Sequence, residues 1–126
     1  MITNNLGNRF LAFGSLILDI TDQLPKTYAG KHLSKQLLRC GVSIGANYEE
    51  AQGAESKADF IHKLQISLKE CRESHYWLKL LAAKRLGPAI MVQQLLNESG
   101  ELCAILSISV VTAKSRICPP PSRFAL

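Results

Sequence analysis

Cys71 and His75 stand one helical turn apart in the run ECRESHYW, a spacing that can present a thiolate and an imidazole to one metal ion. A metal site needs further ligands, and no second pair of this kind occurs in the chain, so core packing is the favoured reading. Asp59-x-x-His62 mimics half of a carboxylate-bridged iron site. Bundles that hold such sites carry Glu-x-x-His on two helices, and this chain has no copy of it. Ser43 and the cysteines have no sequence-local His and Asp arrangement for nucleophilic catalysis. No glycine loop is present to cradle a phosphate. No metal, cofactor or catalytic residue is therefore expected; an enzyme, as the rival reading, would draw on His62, His75 or Cys71 in a cleft between helices or subunits.

Two further constellations point to binding. Lys31, Lys35, Arg39, Ser43, Asn47 and Glu50 recur at steps of four and three and so share one helix face. Like charges at i, i+4 oppose a helix by about 0.2–0.5 kcal/mol per pair. Such a line fits a solvated face, a subunit contact or a phosphate backbone, although no aromatics interleave it for base stacking. Glu70 and Glu73, among Lys69, Arg72 and Lys79, can accept Arg39 from the same or a neighbouring subunit. The alternative is intrahelical pairing of Lys69 with Glu73 and of Asp59 with Lys63. Tyr76 and Trp77 point about 100° apart on a helix, so at most one enters a core and the other is free to anchor an interface.

The elements that position these residues follow from apolar spacing. Phe10, Phe13, Ile17, Ile20 and Leu24 predict a helix over about 8–24, closed by Pro25. A second, over about 30–52, carries Leu33, Leu37, Gly41, Ile44, Tyr48 and Ala51 on one stripe and Leu38, Val42 and Gly45 on an adjacent one. Ser56 with Asp59 marks the start of a third helix that runs to about residue 86, where Gly87-Pro88 ends it. The fourth, over about 88–115, is interrupted by the polar residues 97–100. Its segment Ile105–Val111 is rich in β-branched residues, yet a lone strand would have no partner. Pro119-Pro120-Pro121 opens an extended tail over 119–126, so one domain over 1–118 is expected: an all-α, up-and-down antiparallel four-helix bundle.

With 126 residues, 47% of them apolar, the chain can bury a core without staples. Cys40, Cys71, Cys103 and Cys118 are scattered, as reduced packing thiols would be. No secretory signal is read at the N-terminus, so a cytoplasmic location is expected. The most apolar stretch, Leu102 to Ala113, is 12 residues long, short of the roughly 20 that span a bilayer. A net charge of +5 permits RNA or DNA as a partner without requiring it.

The stretch Ser43 to Gly53, SIGANYEEAQG, places Ser43, Gly45 and Asn47, all poor helix formers, at the centre of a helix. Gly41, Gly45 and Ala46 are expected to let another helix approach closely. Within Leu33–Leu81, this stretch and its surroundings resemble the four-helix-bundle family of proteins encoded in the intervening sequences of 23S rRNA genes, also called S23-like. ILDITDQLP before it and ELCAILSIS after it fit as well. The resemblance implies a bundle that in several members forms a ring of five subunits, and it implies no particular reaction. A distant relative, the accessory protein of diversity-generating retroelements, is a pentamer whose basic surface binds nucleic acid and a reverse transcriptase. The implied role is a non-enzymatic oligomeric assembly or adaptor module, with a nucleic acid or a nucleic-acid enzyme as a candidate partner; a purely structural homo-oligomer that binds no nucleic acid is the alternative. Lys31, Lys35 and Arg39 would then face that partner, and Gly41, Ser43, Gly45, Asn47, Tyr48, Glu70, Glu73 and Trp77 would make helix or subunit contacts. Cys40 replaces a serine common in the family, and Tyr48 a smaller aliphatic residue.

Overall fold

A computed structural model describes residues 5–115, and within them the chain forms four α-helices and no strand. They are α1 (Asn5–Thr21), α2 (Tyr28–Gln52), α3 (Lys57–Lys84) and α4 (Ala89–Ser115). Each packs antiparallel on its neighbour in sequence, and α1 also meets α4, which closes the bundle. The backbones of the diagonal pairs α1–α3 and α2–α4 do not approach closely, so the α1–α2 face lies opposite the α3–α4 face around one shared core. Ile105–Val111 is helical, as bundle logic requires. The Pro119–Pro121 tail, and Cys118 before it, lie outside the described residues.

Helix ends differ from the sequence reading by a few residues, each for a local reason. The first helix stops at Thr21, and Leu24 is buried from the turn that follows. The second begins two residues earlier than Gly30 because the Thr27 hydroxyl accepts the Gly30 N–H at 3.1 Å. Gly30 itself cannot carry a side chain: a Cβ there would stand 2.0 Å from the Pro25 carbonyl oxygen. Ser56 caps α3 as expected, accepting the Asp59 N–H at 3.0 Å. That helix ends not at Gly87 but at Arg85, which adopts a left-handed φ of 55°. The Leu86 N–H then returns to the Leu81 carbonyl and the Arg85 N–H to that of Ala82, a Schellman closure.

The predicted core stripe of α1 and the first stripe of α2, from Leu33 to Ala51, are buried throughout, whereas on the second α2 stripe Val42 is exposed. On α3 the buried stripe of Phe60, Leu64, Leu68, Cys71 and Leu78 ends on Leu81, and Ala82 beside it is exposed. The polar break at 97–100 does not interrupt α4, because the hydroxyl of buried Ser99 bonds the Leu96 carbonyl at 3.1 Å and its oxygen meets His75. At 27 residues, α4 is long and apolar enough by length and composition to cross a bilayer, which the 12-residue reading overlooked. In the bundle its stripe of Val92, Leu95, Leu102, Leu106 and Val110 is buried.

Candidate functional site

Helix α2 explains its own poor helix formers. A Cβ on Gly41 would come within 2.8 Å of Ile17 Cγ1, and one on Gly45 within 3.1 Å of Phe10 Cβ, so α1 lies directly against this strip. Tyr48 continues it, buried, with its ring 4.9 Å from that of Phe10. The close neighbour at Gly41 and Gly45 is thus a helix of the same chain. Ala46 is not on this inner face; it is exposed.

The polar line on α2 divides into four parts. Arg39 turns to α3, where it pairs with Glu73 and, at 3.4 Å, with Glu70. The Trp77 indole donates to the same Glu73 Oε2 at 3.0 Å, which fixes the carboxylate between two donors. Glu50 takes Lys63 at 2.7 Å, so neither intrahelical pair, Lys69–Glu73 nor Asp59–Lys63, forms. Ser43 and Asn47 bond back to the Arg39 and Ser43 carbonyls, at 2.6 and 2.9 Å. Lys31 and Lys35 are exposed and take part in no ion pair among the described residues. With Lys26 they rim a shallow pocket of about 340 Å³ at the α1–α2 turn, where Asp22 is the acidic member.

A larger feature was not anticipated. Between α1 and α2 runs an apolar groove of about 560 Å³, walled by Leu11 and Leu18 on one side and Val42 and Ala46 on the other. Leu11 is 74% exposed, Leu18 53% and Val42 39%. Gly14 sits on the α1 side of this groove, and a Cβ built there meets no atom within 4 Å. A mid-helix glycine destabilises by about 0.5–1 kcal/mol relative to alanine, and nothing among the described residues requires it. The apolar stripe of Leu38, Val42 and Gly45 on α2 predicts a second buried edge; Val42 instead forms the exposed rim of this groove.

The sulfur and imidazole groups gather at the α3–α4 seam. The sulfurs of Cys71 and Cys103 are 3.1 Å apart, and Cys71 Sγ lies 3.6 Å from the Ser99 carbonyl. His75 Nδ1 is 2.6 Å from Ser99 Oγ. Because the Ser99 hydroxyl donates to Leu96, its oxygen is left to accept from a neutral His75 Nδ1–H. Burial, helped by nearby Lys79, holds the His75 pKa below the ordinary imidazole value. Ser99 has no exposed surface. Cys40 lies apart, its thiol pushed up to about 11 by burial, with Ser74 Oγ at 3.1 Å. Among the described residues no group of three or more His, Cys, Asp and Glu side chains is placed to hold a metal ion. Across the bundle, Arg9 of α1 grips Glu98 of α4 through Nε and Nη2 at 2.9 and 2.7 Å, and Nη2 also meets Glu101 at 2.8 Å.

Comparison with known proteins follows this geometry. The solved structure of a protein with unknown function from the S23 ribosomal protein family of Bacteroides thetaiotaomicron is similar at 37% identity and a TM-score of 0.76. The likeness covers 83% of this chain and 97% of that one. No curated protein matches. The pattern of the family described as 23S rRNA-intervening sequence protein matches residues 8–108. The chain belongs to the 23S rRNA-intervening sequence protein family.

Proposed function

We propose that the protein is a self-associating, non-enzymatic helical-bundle module whose α1–α2 groove receives a second copy of the chain. The observation that carries this reading is Gly14: a glycine in mid-helix, open on the side where a Cβ would project, beside three exposed apolar side chains. A backbone left bare without an internal reason fits close approach from outside. The α3–α4 face, opposite this groove, supports a second copy as the occupant, because Val111 is 66% exposed there and lines an apolar recess with Leu68 and Val110. Two different apolar faces on opposite sides make a head-to-tail contact, which closes into a ring when the rotation permits. Five subunits is the number that the family resemblance implies. Light scattering of the full chain at several concentrations tests it. A mass above 13.9 kDa that falls in Leu11→Glu is expected, and a concentration-independent mass of 13.9 kDa overturns it.

A second reading, that the assembly carries RNA or DNA, is favoured by Lys26, Lys31 and Lys35 around one pocket. Titration at about 50 mM salt and above is its test, since phosphate contacts weaken steeply as salt rises. Absence of binding at the lower salt, or binding that Lys31→Glu with Lys35→Glu leaves intact, removes this reading.

A further inference from the structure

We propose that Cys71 and Cys103 form a hydroperoxide-sensitive dithiol site that, once oxidised, staples α3 to α4 within one chain. The two sulfurs face each other across the helix seam at 3.1 Å, and a disulfide bond is about 2.05 Å long, so a shift of about 1 Å joins them. Side-chain rotation at χ1 supplies a shift of that size, and both cysteines are free thiols. The pair is also asymmetric. Cys103 is half-buried and within reach of solvent, whereas Cys71 is fully buried behind it. That is the arrangement of a thiol that meets the oxidant and a second thiol that resolves it.

In the resting state the Cys103 S–H points to Cys71 and the Cys71 S–H to the Ser99 carbonyl. When Cys103 ionises, the Cys71 S–H turns to it, and this hydrogen bond, together with nearby Arg72, favours the Cys103 thiolate. The same contact keeps the proton on Cys71.

A hydroperoxide ROOH supplies the oxidising equivalents. The Cys103 sulfur attacks the terminal oxygen, an S–O bond forms, the O–O bond breaks, and the departing alkoxide takes up the proton that Cys103 released, giving ROH. The Cys71 sulfur then attacks the Cys103 sulfenic acid: S–S forms, S–O breaks, and the Cys71 proton leaves with the hydroxide as water. Two thiols and ROOH become one disulfide, ROH and H₂O. Cys40 is the internal contrast, because it is buried and its close polar partner is a serine hydroxyl instead of a second thiol.

Peptide mapping of the full chain without reductant, after treatment with hydrogen peroxide, tests the site. A linked peptide joining residues 71 and 103, lacking two hydrogens and released by dithiothreitol, is expected. The midpoint of thermal unfolding should rise by on the order of 10 °C, since the link closes a long loop of the unfolded chain. Cys71→Ser should leave a Cys103 sulfenic acid that dimedone traps, and Cys118→Ser should leave the link unchanged. Recovery of Cys71 as a free thiol beside over-oxidised Cys103, or Cys103 joined to Cys118 instead, overturns the proposal. The mapping reads the bond directly in the natural sequence, so its outcome does not depend on whether a variant folds or on the state of assembly.

Discussion

Arg39 of α2 and Glu73 of α3 meet inside a single chain, and the same carboxylate oxygen of Glu73 takes the Trp77 indole N–H. Loss of Glu73 therefore strands the half-buried indole N–H, while Arg39 falls back on Glu70 and Gln36; loss of Arg39 leaves the indole bond in place. Glu73→Ala should lower the unfolding midpoint more than Arg39→Ala. Trp77 is the sole tryptophan, so its emission gives a clean second readout. A red shift in Glu73→Ala that is absent from Arg39→Ala is expected; equal behaviour of the two variants would show that the indole bond contributes nothing.

Gly41 and Gly14 should respond to alanine with opposite signs. The new methyl at residue 41 collides with Ile17 and should lower stability by about 1–3 kcal/mol. At residue 14 the methyl meets nothing, and the gain in helix propensity should raise monomer stability by up to about 1 kcal/mol. Denaturant melts of the two variants give the comparison directly. If the groove docks a second copy, Gly14→Ala should weaken association while it strengthens the helix.

Two helix ends offer another pair of opposed effects. Arg85 holds a left-handed backbone conformation that glycine adopts without strain, so Arg85→Gly should stabilise by about 1 kcal/mol. Thr27→Ala removes the hydroxyl that caps α2 and should destabilise by about 1 kcal/mol. Thermal unfolding of both variants against the parent chain measures each.

His75 makes the fold sensitive to mild acid. Its pKa lies below the ordinary 6.5 in the folded state because of burial and Lys79, so the unfolded chain binds the proton first. Stability carried by neutral His75 is complete above pH 6.5 and is lost as pH falls from 6.5 through the folded value. Its Nδ1 faces Ser99 Oγ, and its Cε1 side lies beside Gly100. The unfolding midpoint should drop between about pH 7 and pH 5. That drop should shrink in His75→Gln.

Periodicity made the four helices and nearly all of the core readable, because large apolar side chains at steps of three and four leave few other ways to be buried. The glycine strip of α2 was readable for the same reason: Gly41 and Gly45 are poor helix formers with no local use. What stayed hidden depends on contacts distant in sequence. Arg9 with Glu98, and Cys71 with Cys103, lie on different helices, and no spacing rule joins them. Leu11 and Leu18 looked like isolated surface residues until α2 set Val42 beside them. The basic line was legible only as a shared face, because charge repeats along one helix, whereas the partner of each residue depends on what α3 presents opposite each turn. Arg39 found two carboxylates there; Lys31 and Lys35 did not.

The uneven seams of the bundle bear on how it assembles. Helix α1 rests broadly on α2 but only lightly on α4, where the Arg9 clamp on Glu98 and Glu101 ties the two. Amide protons of α1 should therefore exchange before those of α2 and α3, which hydrogen exchange read by mass spectrometry can establish. That helix also carries half of the apolar groove. By thermodynamic linkage, any copy that binds there draws on the same free energy that keeps α1 seated, so dilution and local opening are two views of one equilibrium.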